Sequence, residues 1–271
     1  YVYIGDFGNN SNGNRTDLRI LRIEKNSLLA NTPIIDTIQF TYANQTDFSG
    51  SGANNTDFDC EAFIVGTDSI YLFTKQWIGL QSVIYSLPKT PGVYQAIPRD
   101  TLHVQALITG AVYMESLKMI TLCGYTATLQ PFIYLLYDFN GNDFTSGNKR
   151  YLNITLSFYQ FEGIASMDGL KYYLSNENFV QAPLINNPQK LHIFDLKPFL
   201  GEYLNPTLSI VENSNNIRFT CFPNPSSDYI LLTSNTHLKD YQYIITNYLG
   251  QEVMNGHGLS PSQKIDISNL S

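Results

Sequence analysis

The 271-residue chain has a formal net charge of −7 and no basic cluster longer than two residues, so it offers nucleic acid no electrostatic footprint. Hydrophobic residues make up 43% and aromatic residues 13%, enough for a sizeable core, yet no apolar run approaches the ~18 residues that span a membrane. Charged residues make up only 14%, and the abundance of Asn, Ser, Thr and Tyr suits an uncharged polar surface of the kind common outside the cell.

Residues 1–45 open inside a strand, YVYIGD, followed by the turn-rich tract DFGNNSNGNRTD (6–17) and two alternating strands, LRILRI (18–23) and TIQFTY (37–42). A long polar crossover follows at 44–58. Residues 59–105 then begin with a hairpin, CEAFIVGTDSIYLFTK, with Glu61 near its start, a turn at Asp68-Ser69 and Lys75 at its end. A third strand, SVIYSL (82–87), comes next. Residues 106–156 repeat the scheme: Thr109-Gly110 takes the place of Glu61, Cys123-Gly124 ends the hairpin, and FIYLLYDF (132–139) and RYLNITL (150–156) follow.

The clearest copy is FEGIASMDGLKYYLSNEN (161–178). Glu162 sits beside Gly163, and Asp168-Gly169 supplies a hairpin turn in which both residues tolerate positive φ. Asn176 and Glu177 form the polar end, in the position of Lys75 one copy and Cys123 the other. In the opening strand, Asp6 holds the place of Asn176. A longer loop, NFVQAPLINNP (178–188), separates this hairpin from LHIFDL (191–196).

Four-strand units recurring about every 50 residues, with almost no helical periodicity between them, predict an all-β chain whose residues 1–200 are blades of a β-propeller. The first strand of each blade is the innermost, so Glu61, Thr109 and Glu162 are expected at a central channel. The first unit lacks that strand, which predicts that part of a blade precedes Tyr1 in the parent protein. Residues 201–216 read as a mobile linker. The cysteines Cys60, Cys123 and Cys221 lack Cys-x-x-Cys spacing and read as free thiols, the first two buried in neighbouring inner strands.

From about residue 217 the chain changes character, to short alternating strands set between turns. FPNPSSDYILL (222–232), the strand pair around NYLGQEV (247–253) and IDISNL resemble the type A C-terminal sorting domain of the type IX secretion system of Bacteroidota. The resemblance implies an immunoglobulin-like sandwich over 217–271, truncated before its final strands, that addresses the protein to the type IX machinery and is removed at the cell surface. It therefore implies a secreted or cell-surface protein.

The propeller also resembles the calcium-dependent gluconolactonase-like class, in which a Glu-Gly-x sequence opens an inner strand and its glutamate binds a channel calcium. Glu162-Gly163-Ile164 carries that resemblance, and Glu61-Ala62-Phe63 carries part of it. It implies a Ca²⁺ held by Asp6, Glu61, Glu162 and Asn176, with Glu177 as a further oxygen donor, because a hard cation needs several converging oxygens. A second reading pairs Glu61 and Glu162 with Lys75 as a buried ion pair. Trp77 and Tyr125, at matching rim positions with Phe7 and Phe179, suit sugar or peptide stacking or else cap the core. With Lys75 and Glu177 they form the expected ligand surface. None of His103, His192, His237 and His257 falls at an inner-strand end, so no Ser-His-Asp arrangement is supported. Two functional classes remain: a secreted module binding a glycan, peptide or other polymer, and a calcium-dependent lactone or ester hydrolase.

Overall fold

The computed structural model describes residues 1–204, 219–234, 241–247, 249–258 and 262–270. The chain divides into two compact units, Tyr1–Pro206 and Thr207–Ser271. The first contains β1 (Val2–Asp6), β2 (Arg19–Ile23), helix α1 (Lys25–Leu29), β3 (Ile35–Tyr42), β4 (Asp59–Val65), β5 (Ser69–Lys75), β6 (Ser82–Pro88) and β7 (Gly92–Leu102). It continues with β8 (Leu107–Met114), β9 (Met119–Tyr125), β10 (Pro131–Tyr137), β11 (Asn148–Asn153), β12 (Phe161–Ser166) and β13 (Lys171–Asn176). A small hairpin follows, β14 (Phe179–Gln181) with β15 (Ile185–Asn187), then β16 (Lys190–Asp195) and helix α2 (Lys197–Leu204).

The strands form successive antiparallel meanders. β4 to β7 are one four-stranded meander and β8 to β11 another, while β1-β2-β3 and β12-β13-β16 each have three strands. Parallel pairing of Ile38–Tyr42 with Gly92–Ala96 joins the first two meanders into a seven-stranded sheet.

Neighbouring meanders pack face to face, and their second strands show why. In β5, Ile70 and Leu72 enter a core with Ile20, Ile38 and Phe40 of the first meander. The alternate residues Tyr71 and Phe73 enter a different core, with Ile108, Ile120 and Phe132 of the third. β9 repeats this: Ile120 and Leu122 face the second meander, while Met119 and Cys123 join Phe161, Tyr172 and Leu174 of the fourth. A strand covered on both faces gains from apolar side chains at every position, hence the unbroken SIYLF run. β13 has one covered face among the described residues and alternates accordingly: Tyr172 and Leu174 are buried, Lys171 and Ser175 exposed.

Close backbone approach fixes one residue of β9. A Cβ on Gly124 would stand 1.9 Å from the Leu107 carbonyl oxygen on β8, which belongs to the strand ladder and cannot move aside. Gly124→Ala is expected to lower stability by about 1–3 kcal/mol or more, read as a lower denaturant midpoint at unchanged slope.

Two sequence expectations change. Of Asp168 and Gly169, only Gly169 takes positive φ (73°). The Asp168 side chain instead accepts backbone hydrogen bonds from Leu170 and Lys171 at 2.9 and 2.8 Å, an Asx-type turn within a loop wider than two residues. The expected linker begins as helix: α2 carries Leu200 into the core beside Leu196, with Leu204 packed against it. Residues 205–216 of that linker lie outside the described residues.

The second unit contains β17 (Phe219–Phe222), β18 (Tyr229–Ser234), β19 (Tyr241–Thr246), β20 (Glu252–Gly258) and β21 (Ser262–Asp266). β17-β18-β21 form one antiparallel sheet and β19-β20 another, with Ile265 buried.

Candidate functional site

Three β-bulges build the site. Strand pairing is interrupted between Cys60 and Ala62 in β4, between Ile108 and Gly110 in β8, and between Phe161 and Gly163 in β12. The extra residues are Glu61, Thr109 and Glu162, the three positions expected on inner strands. A bulge leaves one residue out of the ladder and re-aims its side chain. All three residues line one pocket of about 450 Å³. Small residues follow each bulge (Ala62, Gly110, Gly163), and Gly110 shows why: a Cβ there would lie 2.9 Å from the Cys123 sulfur and 3.3 Å from the Glu162 carbonyl oxygen.

Lys75, at the end of β5, supplies the cation. Its side chain is 3% exposed, its Nζ donates to both Glu61 oxygens at 2.9 Å, and Glu162 Oε1 lies 4.0 Å away. The ammonium also lies 4.9 Å from the Trp77 ring centre and 5.2 Å from that of Tyr125. Burial opposes the Lys75 charge, but the Glu162 and Glu61 carboxyl groups outweigh it and raise its pKa. Burial dominates at Glu162 and, with the Glu61 carboxyl alongside, pushes it up to about 9 against the pull of Lys75.

Trp77 is held from behind by Asp59, which is fully buried. One Asp59 oxygen accepts from the indole Nε1 at 2.8 Å, the other from the backbone amides of Asn9 and Cys60 at 2.6 and 3.0 Å. Burial raises the Asp59 carboxyl, and the Asn9 and Trp77 donors oppose that rise. Sequence reading missed Asp59; its one signal was a carboxylate two residues before a bulged glutamate. Thr109 is structural as well as pocket-lining: its hydroxyl donates to the Phe161 carbonyl and ties β8 to β12.

Of the ligand surface expected from sequence, Lys75, Trp77, Tyr125 and Glu177 all line the pocket. Phe7 does not; it is buried against Phe40 and Phe63 in a core. Of the expected calcium ligands, the structure brings Glu61, Glu162 and Glu177 to one pocket, without Asp6 and Asn176. Asp6 faces Arg19 across the β1-β2 register, and its carboxylate is taken by Arg15 (3.0 Å) and Arg19 (2.9 Å), whose hydrogen bonds lower its pKa. Asn176 is buried under the loop after β13, donating to the Glu177 and Pro188 carbonyls, with its oxygen 2.8 Å from His192 Nε2.

The donor set does not fit calcium. A hard cation needs six to eight oxygens; three carboxyl groups line this pocket, and Glu61 among them is already closed on the Lys75 ammonium. Among the described residues, no group of three or more His, Cys, Asp and Glu side chains is arranged to hold a metal. Cys60 and Cys123 are buried free thiols raised by that burial, and Cys221 is free and exposed.

The second unit is decided by comparison with known families. Residues 220–271 match the secretion system C-terminal sorting domain. A sorting domain of this kind marks the protein as secreted or cell-surface and implies an interaction with the type IX secretion machinery. No helix among the described residues is long and apolar enough to cross a membrane. A search of curated proteins finds no match to the chain.

Proposed function

We propose that residues 1–200 are successive blades of a β-propeller that the sorting domain delivers outside the cell, where the propeller binds a glycan, peptide or other polymer in the pocket of Glu61, Thr109 and Glu162. The observation that carries this reading is the triple bulge. Three strands give up ladder hydrogen bonds at one equivalent position, and the side chains so freed share a pocket with Trp77 and Tyr125. A purely structural sheet has no need to repeat such a defect at one place. The calcium-dependent hydrolase reading loses support, because Lys75 stands where its cation would and no histidine lines the pocket.

Trp77 is the chain's single tryptophan. Its fluorescence therefore reports this pocket alone, and a panel of oligosaccharides and peptides can be titrated against it. A saturable change with one class, lost in Thr109→Val or Tyr125→Ala, is the expected result. A panel without effect on Trp77 would remove the pocket as the binding site. For export, deletion of 220–271 is expected to retain the protein inside a type IX host, and secreted wild-type protein is expected to lack this segment by mass spectrometry. Secretion unaffected by the deletion would refute the sorting role.

A further inference from the structure

The charges in the pocket do not balance, and its polar groups are not all engaged. Three carboxyl groups, Glu61, Glu162 and Glu177, line it with one ammonium. Lys75 spends its close hydrogen bonds on Glu61. Glu162, on the bulge of β12, has no basic partner nearer than the 4.0 Å to Lys75, and Glu177 forms no ion pair among the described residues. The side-chain amides of Asn10, Asn54 and Gln160 also line the pocket, and no hydrogen bond within the described residues engages them. Trp77 is half-buried, with its indole nitrogen tied down by Asp59, so its ring is held in a fixed orientation at the pocket wall.

We propose that the ligand is an amino sugar with a free ammonium group, placed between Glu162 and Glu177. This rests on the pocket being the binding surface. The two carboxyl groups recognise the cation, since a charge-assisted hydrogen bond there is about twice as strong as a neutral one. The amides, each both donor and acceptor, suit ring hydroxyls. The fixed Trp77 ring suits the apolar face of a sugar, at little cost in conformational freedom. The net charge of −7 draws cationic ligands and repels acidic polymers.

The test titrates the full chain, read by Trp77 fluorescence, with three probes: a glucosamine tetramer, its N-acetylated counterpart, and a lysine-containing tripeptide. The expected result is that the glucosamine tetramer binds at least about tenfold more tightly than the N-acetylated form. Glu177→Gln, at an exposed rim position, and Glu162→Gln, of unchanged volume, are each expected to weaken the glucosamine tetramer more than its N-acetylated counterpart and so erase most of that preference. Equal or tighter binding of the N-acetylated tetramer, or binding of the tripeptide alone, overturns the amino-sugar assignment and leaves the pocket as a binding site. If no saccharide or peptide changes Trp77 fluorescence, the pocket reading and this assignment fall together.

Discussion

Lys75→Met is expected to cost about 3–5 kcal/mol, because it removes one partner of a buried ion pair and leaves the Glu61 carboxylate desolvated and unpaired. Lys75 is 3% exposed at its side chain and Glu61 26%, so little water is available to take over the lost contact. Glu61→Gln on the Lys75→Met background recovers part of the stability, since it removes the orphaned charge. Chemical denaturation of the four species, wild type, each single variant and the double, measures the coupling directly. If Lys75→Met lies within about 0.5 kcal/mol of wild type, the ammonium is not what holds these carboxyl groups together. The same reasoning predicts that thermal melts with calcium and with a chelator superimpose, because a ligand that binds only the folded state would raise the midpoint. A rise with calcium would restore the metal reading.

The second large effect is a fall in stability as the solution becomes alkaline. Glu162 is raised in the folded protein from 4.5 to about 9. A raised carboxyl group means the folded state holds its proton more tightly than the unfolded chain does. Its contribution is therefore fully present below about pH 4.5 and is lost as pH climbs toward 9. The slope reaches ~1.4 kcal/mol per pH unit where folded and unfolded states differ by a full proton, and a few kcal/mol disappear across the window. Asp59, raised by burial, adds loss of the same sign from just above its usual 3.8. Lys75 is raised above 10.5 and does not contribute within this window. Asp6 works the other way: lowered by its arginines, it adds stability above 3.8 that is lost in acid. Denaturation midpoints from pH 5 to 9 should fall steadily in wild type and much less in Glu162→Gln, with the residual slope reporting Asp59. A wild-type profile flat from pH 5 to 9 would show that Glu162 ionises normally and is not shielded by the pocket.

Much of the strand order was legible because strand periodicity and turn chemistry are local. LRILRI, SVIYSL, FIYLLYDF and LHIFDL all appear as strands at or within a residue or two of the places their patterns indicated. The continuous apolar runs in β5 and β9 are also local signals, since a strand between two cores is apolar at every position. The sorting domain was legible for another reason: FPNPSSDYILL and IDISNL are contiguous motifs, readable without knowing what they pack against.

Two of the expected calcium ligands lie away from the pocket, where the expectation relied on equivalence between positions in different repeats. Asp6 does occupy the expected place in its strand, but Arg15 and Arg19 reach it across a turn and a register that repeat alignment does not contain. Asn176 was equally well placed, and a loop carbonyl and His192 claimed its amide. Asp59 went unseen because its role depends on an indole eighteen residues further on, brought back by the β4-β5 hairpin.

By itself the sequence determined the all-β class, the tandem hairpins, the positions of Glu61, Thr109 and Glu162 on their first strands, and the address for export. Each of these depends on residues adjacent in the chain or on a spacing that repeats. Tertiary structure alone decided that those three residues bulge out of their ladders, that Lys75 pairs with Glu61, and that burial raises the Glu162 carboxyl. Those outcomes depend on distances of a few ångströms between strands that are far apart in sequence. They depend as well on burial, which sets the cost of each charge and is a property of the packed sheets, not of any one residue.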